Sequence, residues 1–326
     1  MALSSILYTL LVLFLALLFG ILGIISSGNF TLNKLKNDII TKLDNGIIDN
    51  STVNYVCRKA TILHTEECTQ TDGEKYCSGA GYTKSGSKGT TMIAYGQIGA
   101  NGLLASGDAF DCGVNSDGVY DPVTERFYYV SDYYNTATKE FESDKATLIY
   151  YNNTTSGSPD NTSAGLIAYY ANANENWHGP VTAVTNLPTR EQWTNPNLTT
   201  GTRDIIAETG ANATSGGTLP IGFDYSNYAA RLLTAQEINS ACGITVGSYQ
   251  TGELDKCNYL MENTKYSSDL MGTYGYWIET PRANYPNIVW GVVGHYRDVS
   301  YGSNVYDASN RGARPAITIL KSNIAY

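Results

Sequence analysis

No charged side chain occurs between Met1 and Asn33; the first is Lys34. Inside that span, residues 6–25 are apolar apart from Tyr8, Thr9, Gly20 and Gly23. A helix rising about 1.5 Å per residue covers about 30 Å in some 20 residues, the thickness of a bilayer's hydrocarbon core. A helix on the surface of a soluble domain shows one polar face, and this run shows none. A secretory signal peptide would need a basic segment in front, a shorter apolar stretch and a small-residue cleavage site. The sequence therefore predicts a long apolar helix that has to be buried on every side, in lipid or among copies of itself.

The flanking charge bears on which of these it is. Lys34, Lys36 and Lys42 all follow the run, and the positive-inside rule alone would leave the bulk of the chain in the cytoplasm. The remainder reads as exported, so a short basic leader, removed ahead of Met1, is the expectation. Downstream, Leu32, Leu35, Ile39, Ile40 and Leu43 recur at helical spacing with polar residues between them. The helix is thus expected to continue as an amphipathic half to a stop at Asn45-Gly46. Gly20 and Gly23 mark a place for a bend or local melting. Were the helix a filament core, Met1, Leu3, Ile6, Leu7, Leu10, Leu13, Phe14, Leu17, Leu18 and Ile21 would line it.

About 280 residues follow position 46, enough for a real core. A formal net charge of -9 argues against nucleic acid as a partner. With 26 tyrosines and 32 glycines, this part is expected to be rich in strands and turns. The six cysteines, Cys57, Cys68, Cys77, Cys112, Cys242 and Cys257, form no CxxC pair, which favours disulfides in an oxidising compartment over zinc ligation. Cys242 and Cys257 lie close together and far from the rest, so they are expected to pair; the other four allow three connectivities. "RFYYVSDYYN", "ATLIYY", "YGYWIETP", "IVWGVVGHY" and "RPAITIL" read as strands. Thr189 with Gln192 and Thr234 with Glu237 have capping-box spacing, which predicts two short helices. The expected class is α+β: a helix over 1–46, a cysteine-rich β region over 47–118, and a β-rich head with short helices over 119–326.

Two sets of residues carry a family resemblance. "MALSSILYTLLVLFLALLFGILGI…LNKLKNDI" resembles the processed N-terminus of type IV pilin-like surface proteins of low-GC bacteria. "HGPVTAV", "ARLLTAQEI", "YGYWIETP", "IVWGVV" and "RGARPAITILKSNI" resemble the C-terminal head of the same proteins. That head is distantly similar to formylglycine-generating-enzyme-like and C-type-lectin-like domains. The resemblance covers about two thirds of the chain and leaves out the stretch from Ser51 to Phe110. It implies a subunit embedded in the inner membrane before assembly, then passed by a pilus assembly machinery into an extracellular filament of identical subunits. Many such pilins carry glutamate at the fifth mature position, where it meets a neighbour's N-terminal amine. Here that position holds Ser5, which supplies no charge.

Catalytic chemistry finds little purchase. His64, His178 and His295 fall in no HExxH, GxSxG or paired-histidine pattern, so no catalytic residue and no enzymatic activity are expected. "DCGVNSDGVYDP" offers Asp111, Asn115, Asp117 and Asp121 as oxygen ligands for calcium, although Gly113 stands where an EF-hand loop would begin. The competing reading is an Asx-rich turn. "WTNPN" resembles the proline-centred sugar-binding loop of C-type lectins, with Asn195 in place of the acidic residue. The expected function is a structural subunit of a cell-surface filament with an adhesive role for its head. The alternative is a membrane-anchored adhesin that never polymerises.

Overall fold

The structure is a computed structural model that describes residues 55–70, 89–172, 174–213, 221–247, 253–264, 275–294, 297–307 and 311–326. The apolar stretch with its ten core positions, Gly20, Gly23 and the stop at Asn45-Gly46 lie outside the described residues, as do Cys77 and His295. The chain divides into two compact units, Met1–Val53 and Asn54–Tyr326, and the described residues all belong to the second.

In chain order the strands are β1 (Cys57–Lys59), β2 (Thr65–Gln70), β3 (Gly89–Ala94), β4 (Ala109–Cys112), β5 (Arg126–Asn135), β6 (Glu140–Tyr150), β7 (Thr154–Thr155) and β8 (Ser158–Pro159). They continue as β9 (Thr202–Asp204), β10 (Gly222–Asp224), β11 (Gly275–Pro281), β12 (Ile288–Val293), β13 (Asp298–Asn304), β14 (Ala316–Leu320) and β15 (Ile324–Ala325). A single α-helix among the described residues, α1 (Ala235–Cys242), and five short 3₁₀ segments complete the set. The expectation of an α+β chain led by a long helix therefore fails. What is described is mainly β, and no described helix is long and apolar enough to cross a membrane. The physical reason lies in the sequence of this unit: its apolar residues alternate or run continuously over strand lengths, and only the segment behind Thr234 combines a cap with helical spacing.

Six strands form one sheet in the order β14-β6-β5-β4-β1-β15. All neighbours are antiparallel except β1 and β15, which run parallel with Cys57 opposite Ile324. Strands from 57–112 and from 126–325 share this sheet, so the two regions expected on either side of residue 118 build one body. Alternate residues of β5 serve opposite faces: Tyr128 and Val130 enter one core cluster, Phe127 and Tyr129 another. The same holds for Ile149 against Leu148 and Tyr150 in β6. Burial on both faces is why these strands read as unbroken apolar and aromatic runs.

A second sheet, β11-β12-β13, is antiparallel throughout. Tyr276, Ile278, Trp290 and Val292 point into the cluster that also holds Tyr128 and Ile149, so the two sheets share that core. Trp277 and Val289 face the other way, onto Tyr169, Leu187 and Tyr225. Burying side chains as large as Trp277 and Trp290 removes apolar area worth about 25 cal/mol per Å² from water. Among the described residues two disulfides fasten the unit: Cys57 to Cys112, directly opposite in the neighbouring strands β1 and β4, and Cys242 to Cys257, joining the end of α1 to the segment Glu253–Met261.

Candidate functional site

The stretches that carry the head resemblance resolve into buried supports. Arg231 forms a two-pronged contact with Glu237, Nη2 to Oε1 at 2.6 Å and Nη1 to Oε2 at 2.9 Å. Glu237 also accepts from the Thr147 hydroxyl at 2.8 Å and the Thr234 amide at 3.0 Å, while the Thr234 hydroxyl accepts from the Glu237 amide. These last two bonds are the capping box that starts α1. Burial alone would raise the Glu237 pKa; the adjoining Arg231 guanidinium, helped by Arg203, outweighs it and lowers the value. Glu279, from "YGYWIETP", receives Arg203 Nε at 3.0 Å on each oxygen. Arg314, from "RGARPAITIL", donates to the carbonyls of Tyr150, Tyr259 and Leu260. The charged residues of these stretches are thus held in the interior, Glu237 and Glu279 by guanidinium groups and Arg314 by backbone carbonyls.

The remaining predicted positions are distributed. Thr189 does not start a helix: Gln192 Oε1 accepts from the Thr189 amide at 2.9 Å, but the chain makes one turn and then sends Trp193 into the core against Phe127 and Tyr150. Asn195 of "WTNPN" donates from Nδ2 to the Gly113 carbonyl at 2.7 Å, so its amide holds two loops together. Asp111 accepts from Arg126 Nε at 2.8 Å. Asn115, Asp117 and Asp121 each accept the backbone N–H two residues ahead, at 3.4, 2.8 and 2.8 Å, which is Asx-turn geometry. Among the described residues no group of three or more His, Cys, Asp or Glu side chains is placed to hold a metal ion. His178 stacks on Tyr170 with ring centroids 5.2 Å apart, and His64 meets Glu262 Oε1 at 2.8 Å.

A groove that the sequence reading did not single out lies at the turn joining β11 to β12. Its volume is about 420 Å³. Pro281, Arg282, Asn284, Tyr285 and Pro286 of the turn form one wall; Asn176 and Trp177 form another, and the segment Ala211–Ala213 closes it. Its walls are held from behind. Asn176 Nδ2 donates to the carbonyls of Tyr285 and Ile288 at 2.7 Å each, and its backbone N–H donates to Pro286 at 2.7 Å. Glu208 Oε2 accepts from the Ala283 amide at 2.9 Å and the Trp290 indole at 3.1 Å. The Arg282 guanidinium lies 3.9 Å from the centre of the Tyr285 ring, which nonetheless remains 46% exposed. Asn284 turns the corner with φ +63°, a left-handed conformation that asparagine tolerates well. The available signal was the pair of prolines around an Asn-Tyr step, "PRANYP", a rigid turn that displays an aromatic ring. Comparison with family models, curated proteins and solved structures finds no match.

Proposed function

We propose that this chain is a type IV pilin-like structural subunit of an extracellular filament. Successive subunits associate through the apolar segment 1–33, and the disulfide-bonded β unit is displayed to solvent. The observation that carries the reading is the adjacency, in one chain, of 33 charge-free residues and a disulfide-stapled β unit. An apolar segment of that length needs lipid or copies of itself around it. Head-to-tail packing without a closing rotation builds a helical polymer. The partners are identical subunits, with the inner membrane and an assembly machinery before polymerisation. A structural and adhesive role, not a catalytic one, also accords with the motif charges: Arg231, Glu237, Arg203 and Glu279 neutralise each other in the interior. The same segment supports a second reading, a membrane-anchored adhesin that does not polymerise, because lipid would bury an apolar run of this length as well.

Shearing the cell surface and imaging the released fraction by electron cryo-microscopy separates the two. Filaments built from this chain support the first reading; retention in the membrane fraction, with no filament containing it, supports the second. Leu13→Asp and Leu17→Asp place an unpaired charge in the apolar segment at a cost of several kcal/mol. Both variants are expected to abolish filaments, and filaments at normal yield would overturn the assignment of that segment to the polymer core.

A further inference from the structure

We propose that the groove at the β11–β12 turn is a binding site for a neutral saccharide. The proposal does not depend on whether the chain polymerises. A volume of about 420 Å³ falls within the range of small-molecule sites, about 300–1,000 Å³. The question is which chemistry the walls would take.

Three features answer it. First, the groove presents aromatic surface: Tyr285, clamped by Arg282 yet 46% exposed, and the half-buried Trp177 in its lining. A ring fixed at one side and open elsewhere is suited to stacking against the C–H face of a sugar, where burial of apolar area and contact with the ring's negative face both contribute. Second, the side-chain amides of Asn212 and Asn284 line the groove and make no hydrogen bond among the described residues. An amide both donates and accepts, matching hydroxyl groups that do the same. Third, the Arg282 guanidinium at the groove is offset by the Glu208 carboxylate behind the turn. Glu208 takes an amide and an indole N–H on one oxygen, and the Arg282 guanidinium lies over Tyr285 with Trp290 6.0 Å beyond. With these two charges of opposite sign, neither an anionic nor a cationic ligand gains a net attraction. What remains on offer is aromatic surface with neutral donors and acceptors, which is the complement of an uncharged polyol ring.

The site is also built before a ligand arrives. Two prolines, three hydrogen bonds from Asn176 to the turn and the Glu208 clamp fix both walls, so little conformational entropy is left to lose on binding.

The test uses the full chain, purified as the filament or in detergent. It is titrated by calorimetry against neutral trisaccharides of glucose, mannose, galactose and N-acetylglucosamine, with a uronic-acid trisaccharide for contrast. At least one neutral probe is expected to bind saturably, with millimolar or tighter affinity. Tyr285→Ala and Asn212→Ala are each expected to weaken that binding about tenfold, the scale of losing an anchor residue, with the thermal midpoint unchanged. Tyr285→Phe is expected to retain it. Phe141→Ser removes an aromatic ring that is 43% exposed elsewhere on the surface and should leave affinity as it was. Absence of saturable binding by every neutral probe would overturn the site. So would wild-type affinity in Tyr285→Ala, or equal losses in Phe141→Ser. Tighter binding of the uronic-acid probe than of its neutral counterparts would overturn the ligand class.

Discussion

Both ring nitrogens of His64 face acceptors: Nδ1 lies 2.8 Å from Glu262 Oε1, and Nε2 lies 2.5 Å from the Pro122 carbonyl oxygen. A neutral imidazole carries one N–H and could satisfy only one of them, whereas the imidazolium satisfies both. Burial pulls the His64 pKa down, and Arg126 adds to that; the Glu262 carboxylate and the Pro122 carbonyl outweigh them, so the net shift is upward. The Tyr128 hydroxyl donates to the other Glu262 oxygen at 2.5 Å, and the Tyr151 ring meets the imidazole edge-on. A raised pKa in the folded state means stability fully present below the ordinary value of 6.5 and lost as pH rises through the folded value. We therefore expect the melting temperature of the β unit to fall as pH increases above 6.5, by roughly 2–4 °C for each kcal/mol lost. His64→Asn should start lower at pH 6 and show no such fall. Scanning calorimetry between pH 5.5 and 9 decides it: an alkaline fall of wild-type size in the variant would remove His64 as its origin. Nothing around His64 in the sequence announces this, because Pro122 and Glu262 come from 58 and 198 positions away.

At the scale of elements, the buried Arg231–Glu237 pair sets how α1 is joined to the sheet. Its charges are worth little net against an apolar pair of similar size, but removing one partner strands the other in the interior. Glu237→Ala is expected to cost about 3–5 kcal/mol in urea unfolding, and Arg231→Met with Glu237→Leu considerably less. A single variant no more damaging than the double one would contradict the burial of an unpaired guanidinium. This element was legible beforehand, since Thr234 and Glu237 stand at capping-box spacing and the box is formed. Thr189 and Gln192 have the same spacing without a helix. There the pull of Trp193 into the core and the anchoring of Asn195 to Gly113 end the turn before a second can form. Long strands such as Arg126–Asn135 were readable because both of their faces are buried in apolar contacts. Strands of two to four residues, such as β1, β4 and β15, carry no periodic signal; they exist because distant partners pair with them. The groove was illegible for a related reason: its walls come from residues 176–177, 207–213 and 281–286, and only folding puts them together.

For the molecule as a whole, the disulfides are the long-range constraints that count most. In the loop-entropy account a bridge across 15 residues stabilises by about 3 kcal/mol and one across 55 by about 4. Replacing Cys57 and Cys112 together by alanine is thus expected to cost more than replacing Cys242 and Cys257. Guanidinium unfolding of the two double variants checks the order, and a larger loss at Cys242–Cys257 would show that native packing around the bridges outweighs loop length. The proximity of Cys242 and Cys257 in sequence had suggested their pairing, while three connectivities remained open for the other four. Cys57 and Cys112 are resolved by the register of β1 on β4, which spacing alone does not encode.

The position of that longer bridge has a mechanical meaning. Tension transmitted along the chain from the N-terminal side reaches β1 first, a strand of three residues that hydrogen bonds alone would hold weakly. The covalent link at Cys57 passes the load straight to Cys112, and the 55 intervening steps are bypassed. At up to about 3.5 Å per residue, roughly 190 Å of extension is thereby withheld however hard the unit is pulled. While the bridge is oxidised, the stretch between Cys57 and Cys112 cannot be drawn out; only its reduction would let that stretch lengthen.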